Sequence, residues 1–217
     1  MSSIKPITIP FEKHVGLYEQ WFVRNRYAYE SELQAIHALI PEQGIGIEIG
    51  VGSGRFAVPL GIKIGIEPAK KMREIAQRQD IEIVNGIAET LPFCREQFDY
   101  VLMVTTVCFL DDIAASFEEV YRVLKPGGLF IIGFVDRDSP VGKAYQKRKN
   151  KSVFYKNATF YSVGEIASYL QRSGFRNFIY KQTIYQPLNQ IDTIEPVTDG
   201  YGTGSFVVVS GVKPAYQ

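Results

Sequence analysis

The sequence predicts an α/β protein built on a doubly wound, mostly parallel sheet, and three observations carry that expectation. Residues 45–67 read as a buried strand, a turn with alternating glycines, a short apolar helix and a second strand that ends in an acid. Strand and helix patterns then alternate: a basic amphipathic helix over 69–79, strands at 81–84 and 98–104, an amphipathic helix over 111–124 and a strand at 129–135. Such alternation implies crossover helices and hence parallel strands. The third observation is Leu124-Lys125-Pro126-Gly127-Gly128, where a proline and paired glycines stop a helix and turn the chain back into the sheet.

The glycine turn is the chemically informative stretch. Gly50, Gly52 and Gly54 alternate strictly after the first strand, so the backbone can turn sharply and approach a ligand where a Cβ would collide. Glu67, followed by Pro68, ends the next strand, where a carboxylate can accept both hydroxyls of a ribose. It follows Gly50 by fewer than the roughly 20 residues usual for such an acid, which leaves its register against the ribose open. Glu48 stands two residues before the first glycine, where it would repel a pyrophosphate but suits a ligand with an ammonium group. The spacing also departs from the G-x-G-x-x-G of dinucleotide sites.

This acid-x-Gly-x-Gly-x-Gly pattern resembles the first motif of the class I S-adenosylmethionine-dependent methyltransferases. The resemblance continues in Asn85-Gly86-Ile87-Ala88-Glu89-Thr90-Leu91-Pro92-Phe93, similar to that family's adenine-binding stretch, in Phe98-Asp99 opening the fourth strand, and in Leu-Lys-Pro-Gly-Gly before the fifth. It covers roughly residues 44–212. It implies a three-layer, Rossmann-like sheet of seven strands, closed by an antiparallel hairpin from strands near 175–185 and 204–212. It also implies S-adenosylmethionine as methyl donor and S-adenosylhomocysteine as product, with the donor lying across the ends of the first, second and fourth strands. Carried onto this chain, the cofactor residues are Glu48, Gly50, Gly52, Gly54, Glu67, Pro68, Ile87, Ala88, Glu89, Val104 and Thr105, with Tyr27 added from the N-terminal segment. Ile87 replaces the family's usual Asp, so the adenine amino group falls to a backbone carbonyl or to Glu89. Thr105 and Thr106 follow the fourth strand, on the edge where open parallel sheets bind ligands. Cys108-Phe109 occupies the place of a His-His pair found in many relatives, so no general base carries over. No Asp-Pro-Pro-Tyr, Asn-Pro-Pro-Tyr or Pro-Cys step is present, which argues against a DNA base as acceptor.

Three further segments bear on the acceptor. Residues 11–40 read as two helices with a dense aromatic and cationic cluster, and in small-molecule methyltransferases resembling this one such a segment covers the cofactor. Tyr18, Trp21 and Tyr27 are the candidates there. Residues 143–156 hold six Lys or Arg and no acid, with Tyr155 among them. Either this is a solvated helix face or a lid, and a lid is favoured over an RNA-binding patch. The connection before the last strand holds Asp192, Glu195, Asp199 and Tyr201. If all three converge on the methyl group, the aromatic faces and the acidic loop, with Glu195 held by Pro196, favour an amine, whereas the lysines favour an anion.

Composition sets the outer limits. The 217 residues are 46% hydrophobic, with 24 Lys plus Arg against 23 Asp plus Glu, so no general attraction to nucleic acid or an anionic membrane is expected. We expect one domain over 1–217, with a helical cap at 1–43 and a cofactor-binding core at 44–212. Residues 1–10 lack a secretory signal pattern and no stretch approaches a membrane span, so a cytoplasmic location is the default expectation. Cys94, Cys108, His14 and His37 are too few and too scattered for a metal centre, and none is expected. Nothing in the residues speaks to oligomeric state. The expected function is methyl transfer to a small-molecule acceptor. The rivals are a non-catalytic S-adenosylmethionine-binding partner protein and a nicotinamide-dependent oxidoreductase.

Overall fold

The structure is a computed structural model and describes residues 6–215. Residues 1–5 of the segment read for a signal lie outside it. The strands are β1 (Gly46–Ile49), β2 (Ile64–Ile66), β3 (Glu82–Val84), β4 (Phe98–Val104), β5 (Leu124–Val135), β6 (Arg176–Thr183), β7 (Thr198–Asp199) and β8 (Phe206–Val212). They form one sheet in the order β3-β2-β1-β4-β5-β8-β6-β7. The first five are parallel, and β8, β6 and β7 add antiparallel pairings at one edge. The expected α/β architecture is present with one strand more than the seven anticipated. The addition is β7, two residues of the long connection that pair with Lys181 and Gln182.

The helices are α1 (Ile9–Lys13), α2 (Val15–Arg24), α3 (Arg26–His37), α4 (Lys70–Gln77), α5 (Ile113–Val123), α6 (Pro140–Arg148) and α7 (Val163–Arg172). Three rather than two precede β1, because the short α1 starts at Ile9 with Pro10 in its first turn. Period-two alternation along the strands divides the core between two helical layers. Val101, Met103, Phe130 and Ile132 pack with Phe117 of α5 and Ile166 of α7. Their neighbours Tyr100, Leu102, Val104 and Ile131 pack on the other face with Ala35 and Ile36 of α3 and Ala76 of α4. The α7 helix begins with a reciprocal capping box between Ser162 and Glu165.

Two expectations are corrected. No α-helix forms between Gly54 and Gly61; the chain makes nested turns instead, with Val58 N–H donating to Gly54 O and Ile62 N–H to Ala57 O. Val58 and Leu60 each bond four residues back, but Gly61 then swings to φ of +72° and Ile62 bonds back to Ala57, so the run is stopped before a regular helix is established. The fifth strand also starts at Leu124, which pairs with Phe98, and reaches Leu129 through a register shift around Pro126 and Gly127. Among the described residues no helix is long and apolar enough to cross a membrane.

The order places β1 and β4 side by side with chain connections leaving in opposite directions, which opens a crevice at their carboxyl ends. The glycine turn follows β1 at this edge, and α2, α3 and α6 border it.

Candidate cofactor and acceptor site

At the end of β1 the N–H groups of Gly50 and Val51 both donate to Ile66 O, folding the turn across the end of β2. Gly50 and Gly52 have φ of +72° and +56°, a region costly for residues with a Cβ. A Cβ on Gly50 would lie 2.3 Å from Thr106 Oγ1, and one on Gly52 would lie 2.9 Å from the Tyr18 hydroxyl. These two glycines therefore form a cradle with a floor from β4 and a roof from α2. Gly54 differs: a Cβ there would meet Ile81, and the residue stands outside the cavity wall, so its role is packing.

Register settles the position of Glu67. Ile49 pairs with Ile66, so Glu67 comes level with Gly50 despite the short connection. Its Oε2 accepts from Gly52 N–H at 3.0 Å and its Oε1 from Ala69 N–H at 2.8 Å. Burial outweighs both bonds and lifts the carboxyl to about 7. Glu48 is fully buried, and burial pushes its carboxyl well above the usual range, opposed by a bond from Ala57 N–H. Its Oε2 is buried without a partner, which is costly unless a ligand supplies the donor.

One cavity of about 220 Å³ joins these groups to an aromatic chamber. Of the residues expected at the cofactor, Glu48, Gly50, Gly52, Glu67, Pro68, Ile87, Ala88, Glu89, Val104 and Thr105 line it. Thr105 has φ of +49°, uncommon for a β-branched residue, with its N–H bonded to Gly133 O at 2.8 Å. This kink carries the chain across the end of β4, where Thr106 Oγ1 donates to Val104 O at 3.0 Å. Glu89 lines the wall, but its Oε1 accepts from the N–H groups of Asp111 and Asp112, which commits it to holding the loop before α5.

The acceptor candidates divide. Tyr18, Trp21, Thr106 and Tyr155 line the cavity, joined by Phe11, Phe22, Phe109, Tyr145 and Phe154. The rings interlock: Tyr155 stacks on Phe109 at 5.9 Å and on Tyr145 at 5.1 Å, and Tyr18 meets Phe154 edge-on at 6.3 Å. Burial first, then the nearby charges of Glu48 and Glu67, push the Tyr18 hydroxyl far above its ordinary value. The basic segment has two faces, with Lys143, Lys147, Lys151 and Lys156 exposed while Tyr145, Phe154 and Tyr155 face inward.

Tyr27, Glu195 and Tyr201 do not reach the cavity. Tyr27 is exposed on α3 beside Arg26. Tyr201 is exposed and packs on Tyr180, while Asp199 pairs with Lys181 at 2.6 Å. Glu195 is buried, but its Oε2 accepts from Tyr185 N–H and its own N–H donates to Ser31 Oγ. Pairing of β7 with β6 holds Asp199 at the antiparallel edge, and Glu195, although bonded to Ser31 of α3, turns its carboxylate to Tyr185 rather than into the cavity. Glu32 and Asp111 line the cavity and escaped the sequence reading. The signal for Glu32 was present: it lies four residues after Ala28 and four before Ile36, on the apolar stripe of α3.

A family model described as a methyltransferase domain matches residues 47–132. The chain is similar to a Thermotoga maritima protein described with its crystal structure as a SAM-dependent methyltransferase, possible histamine N-methyltransferase. The two share 50% identity and a TM-score of 0.93, covering 95% of this chain and 100% of that one. It is 44% identical to an uncharacterised protein of Methanocaldococcus jannaschii over 94% of this chain and 98% of the relative. It is also 31% identical, over 60% of this chain and 58% of the relative, to a demethylmenaquinone methyltransferase of Staphylococcus saprophyticus. With the glycine cradle, the acid at the end of β2 and the strand order, these likenesses show that the chain belongs to the S-adenosylmethionine-dependent methyltransferase family.

Proposed function

We propose that this methyltransferase acts on a small molecule bearing an amine, held in the aromatic chamber beside the cofactor. The observation that carries this reading is continuity: a single cavity runs from Gly50, Gly52 and Glu67 to Trp21, Tyr145 and Tyr155. A chamber walled by α2, α3 and α6 suits a small acceptor better than a polymer. Aromatic faces attract cations, and a relative 50% identical is described as a possible histamine N-methyltransferase.

The residues present fit the cofactor, because the cradle admits no Cβ and the orphan Oε2 of Glu48 calls for a donor. Glu67 would accept from the ribose hydroxyls, Glu48 from the amino group of the methionine moiety, and Ile87 and Ala88 would flank the adenine. When bound, the sulfonium supplies an electrophilic methyl group. The protein then acts by alignment, which can contribute about 7–11 kcal/mol, with Thr105 and Thr106 bordering the reacting centre and Tyr18 roofing it. No metal and no covalent step is required.

Labelled methyl transfer to a panel of metabolite amines, hydroxyls and thiols tests the reading. Turnover confined to amines is expected. Binding of S-adenosylhomocysteine with no methylation across the panel would favour a non-catalytic binding protein instead.

A further inference from the structure

The described residues lining the cavity include five acids and no Lys, Arg or His. Glu48 and Glu67 sit at the glycine turn, and Glu89 holds the loop before α5. Glu32 belongs to the aromatic end. It is 5% exposed, and no hydrogen bond or ion pair reaches its carboxylate among the described residues. The titratable groups that feel its charge are the hydroxyls of Tyr29 on its own helix, Tyr145 on α6 and Tyr155 beyond it, and none of them offsets a negative charge. A carboxylate held this way is costly unless a ligand supplies a positive partner.

On the methyltransferase reading above, we propose that Glu32 binds the amino group of a primary or secondary amine acceptor and takes one of its protons. The ammonium transfers a proton to a Glu32 carboxylate oxygen, which frees the nitrogen lone pair. The nitrogen then bonds to the sulfonium methyl carbon as the carbon–sulfur bond breaks and leaves its electron pair on sulfur. The product departs as a methylated ammonium, and Glu32 returns its proton to water. Burial supports this role, since it lifts the Glu32 carboxyl to about 8. An ordinary carboxylate lies about six decades below an alkyl ammonium, whereas Glu32 lies only about two below. An anionic acceptor, by contrast, would meet Glu32 with no cation to offset it.

The test compares wild type with Glu32→Gln, an uncharged variant of the same shape that should fold. Labelled methyl transfer is measured with 2-phenylethylamine, tyramine and histamine, and with 3-phenylpropionate as the isosteric anion. Wild type should methylate at least one of the amines and not the anion, and kcat/KM should rise with pH to a limit near 8. Glu32→Gln should lose about a hundredfold or more in kcat/KM and lose that rising limb, while its calorimetric affinity for S-adenosylhomocysteine stays unchanged. Glu32→Asp should recover part of the rate. Undiminished amine turnover in Glu32→Gln overturns the proposal, as does failure of the protein loaded with S-adenosylhomocysteine to bind any of the three amines. Failure to bind S-adenosylhomocysteine at all would instead overturn the underlying reading, and this inference with it.

Discussion

Replacing Glu67 with Ala is expected to lower affinity for S-adenosylmethionine ten- to hundred-fold, measured calorimetrically on the folded variant. Two charge-assisted hydrogen bonds from a ribose are worth on the order of 1.5–3 kcal/mol against an empty position. The variant also frees Gly52 N–H and Ala69 N–H, both now bonded to this carboxylate, so the cradle loses its brace as well as its acceptor. Because burial holds this carboxyl at about 7, wild-type affinity should fall with pH, at pH 6 to roughly a tenth of its limit above pH 8, if only the ionised form accepts both hydroxyls. Glu67→Gln should lose that dependence. Unchanged affinity in a folded Glu67→Ala protein would remove the ribose role.

The glycine-turn half of the cavity wall was legible in the sequence because its requirements are local. A turn that admits no Cβ must be written as Gly50 and Gly52, and an acid at a strand end must follow the strand that positions it. The acceptor half depends on which faces of distant elements meet. Glu195, Asp192 and Asp199 read as an acidic loop available to the site, but none of them lines the cavity: Asp199 is held at the sheet edge by the two-residue pairing of β7 with β6, and the Glu195 carboxylate is taken by Tyr185 N–H. A two-residue strand has no periodicity to detect. Glu32 was legible only in part: its spacing from Ala28 and Ile36 puts it on the inward stripe of α3, but that this stripe meets a cavity depends on the aromatic helices placed around it. Tyr27 fell in the right segment but on the outer face of α3, while Tyr18 and Trp21 faced inward. The turn at 54–61 was misread because apolar residues over so short a span satisfy a helical pattern that Gly61 stops before a regular helix is established.

The ligand-free protein is expected to lose stability as pH rises from 5 to 8. Glu32 titrates at about 8 and Glu67 at about 7 in the fold, Glu48 lies well above its usual range, and burial is the leading cause for each. In the unfolded chain all three ionise near 4.5. Between these values the folded state binds more protons, so the contribution is fully present below about 4.5 and is lost as pH climbs through the folded values. At about 1.4 kcal/mol for every decade of separation, Glu32 and Glu67 together amount to several kcal/mol. Asp99 and Glu119 are held low by Lys125 and Arg122 and work the other way, but their contributions are lost only as pH falls below the ordinary carboxylate range. Thermal unfolding at pH 5, 6.5 and 8 should show Tm declining, and Glu32→Gln should flatten the decline and raise Tm at pH 8. A Tm that climbs from pH 5 to 8 would show that these carboxyls are not buried as described.

The cofactor is expected to lie in the cradle between Gly50 and Gly52, under the Tyr18 roof. This placement is checked by calorimetric titration of S-adenosylhomocysteine into Gly52→Val, shown folded by circular dichroism. A side chain at this position meets the Tyr18 hydroxyl and forces a β-branched residue to positive φ. Wild type should bind strongly and the variant should show no measurable binding. Equal binding by the two proteins would contradict it.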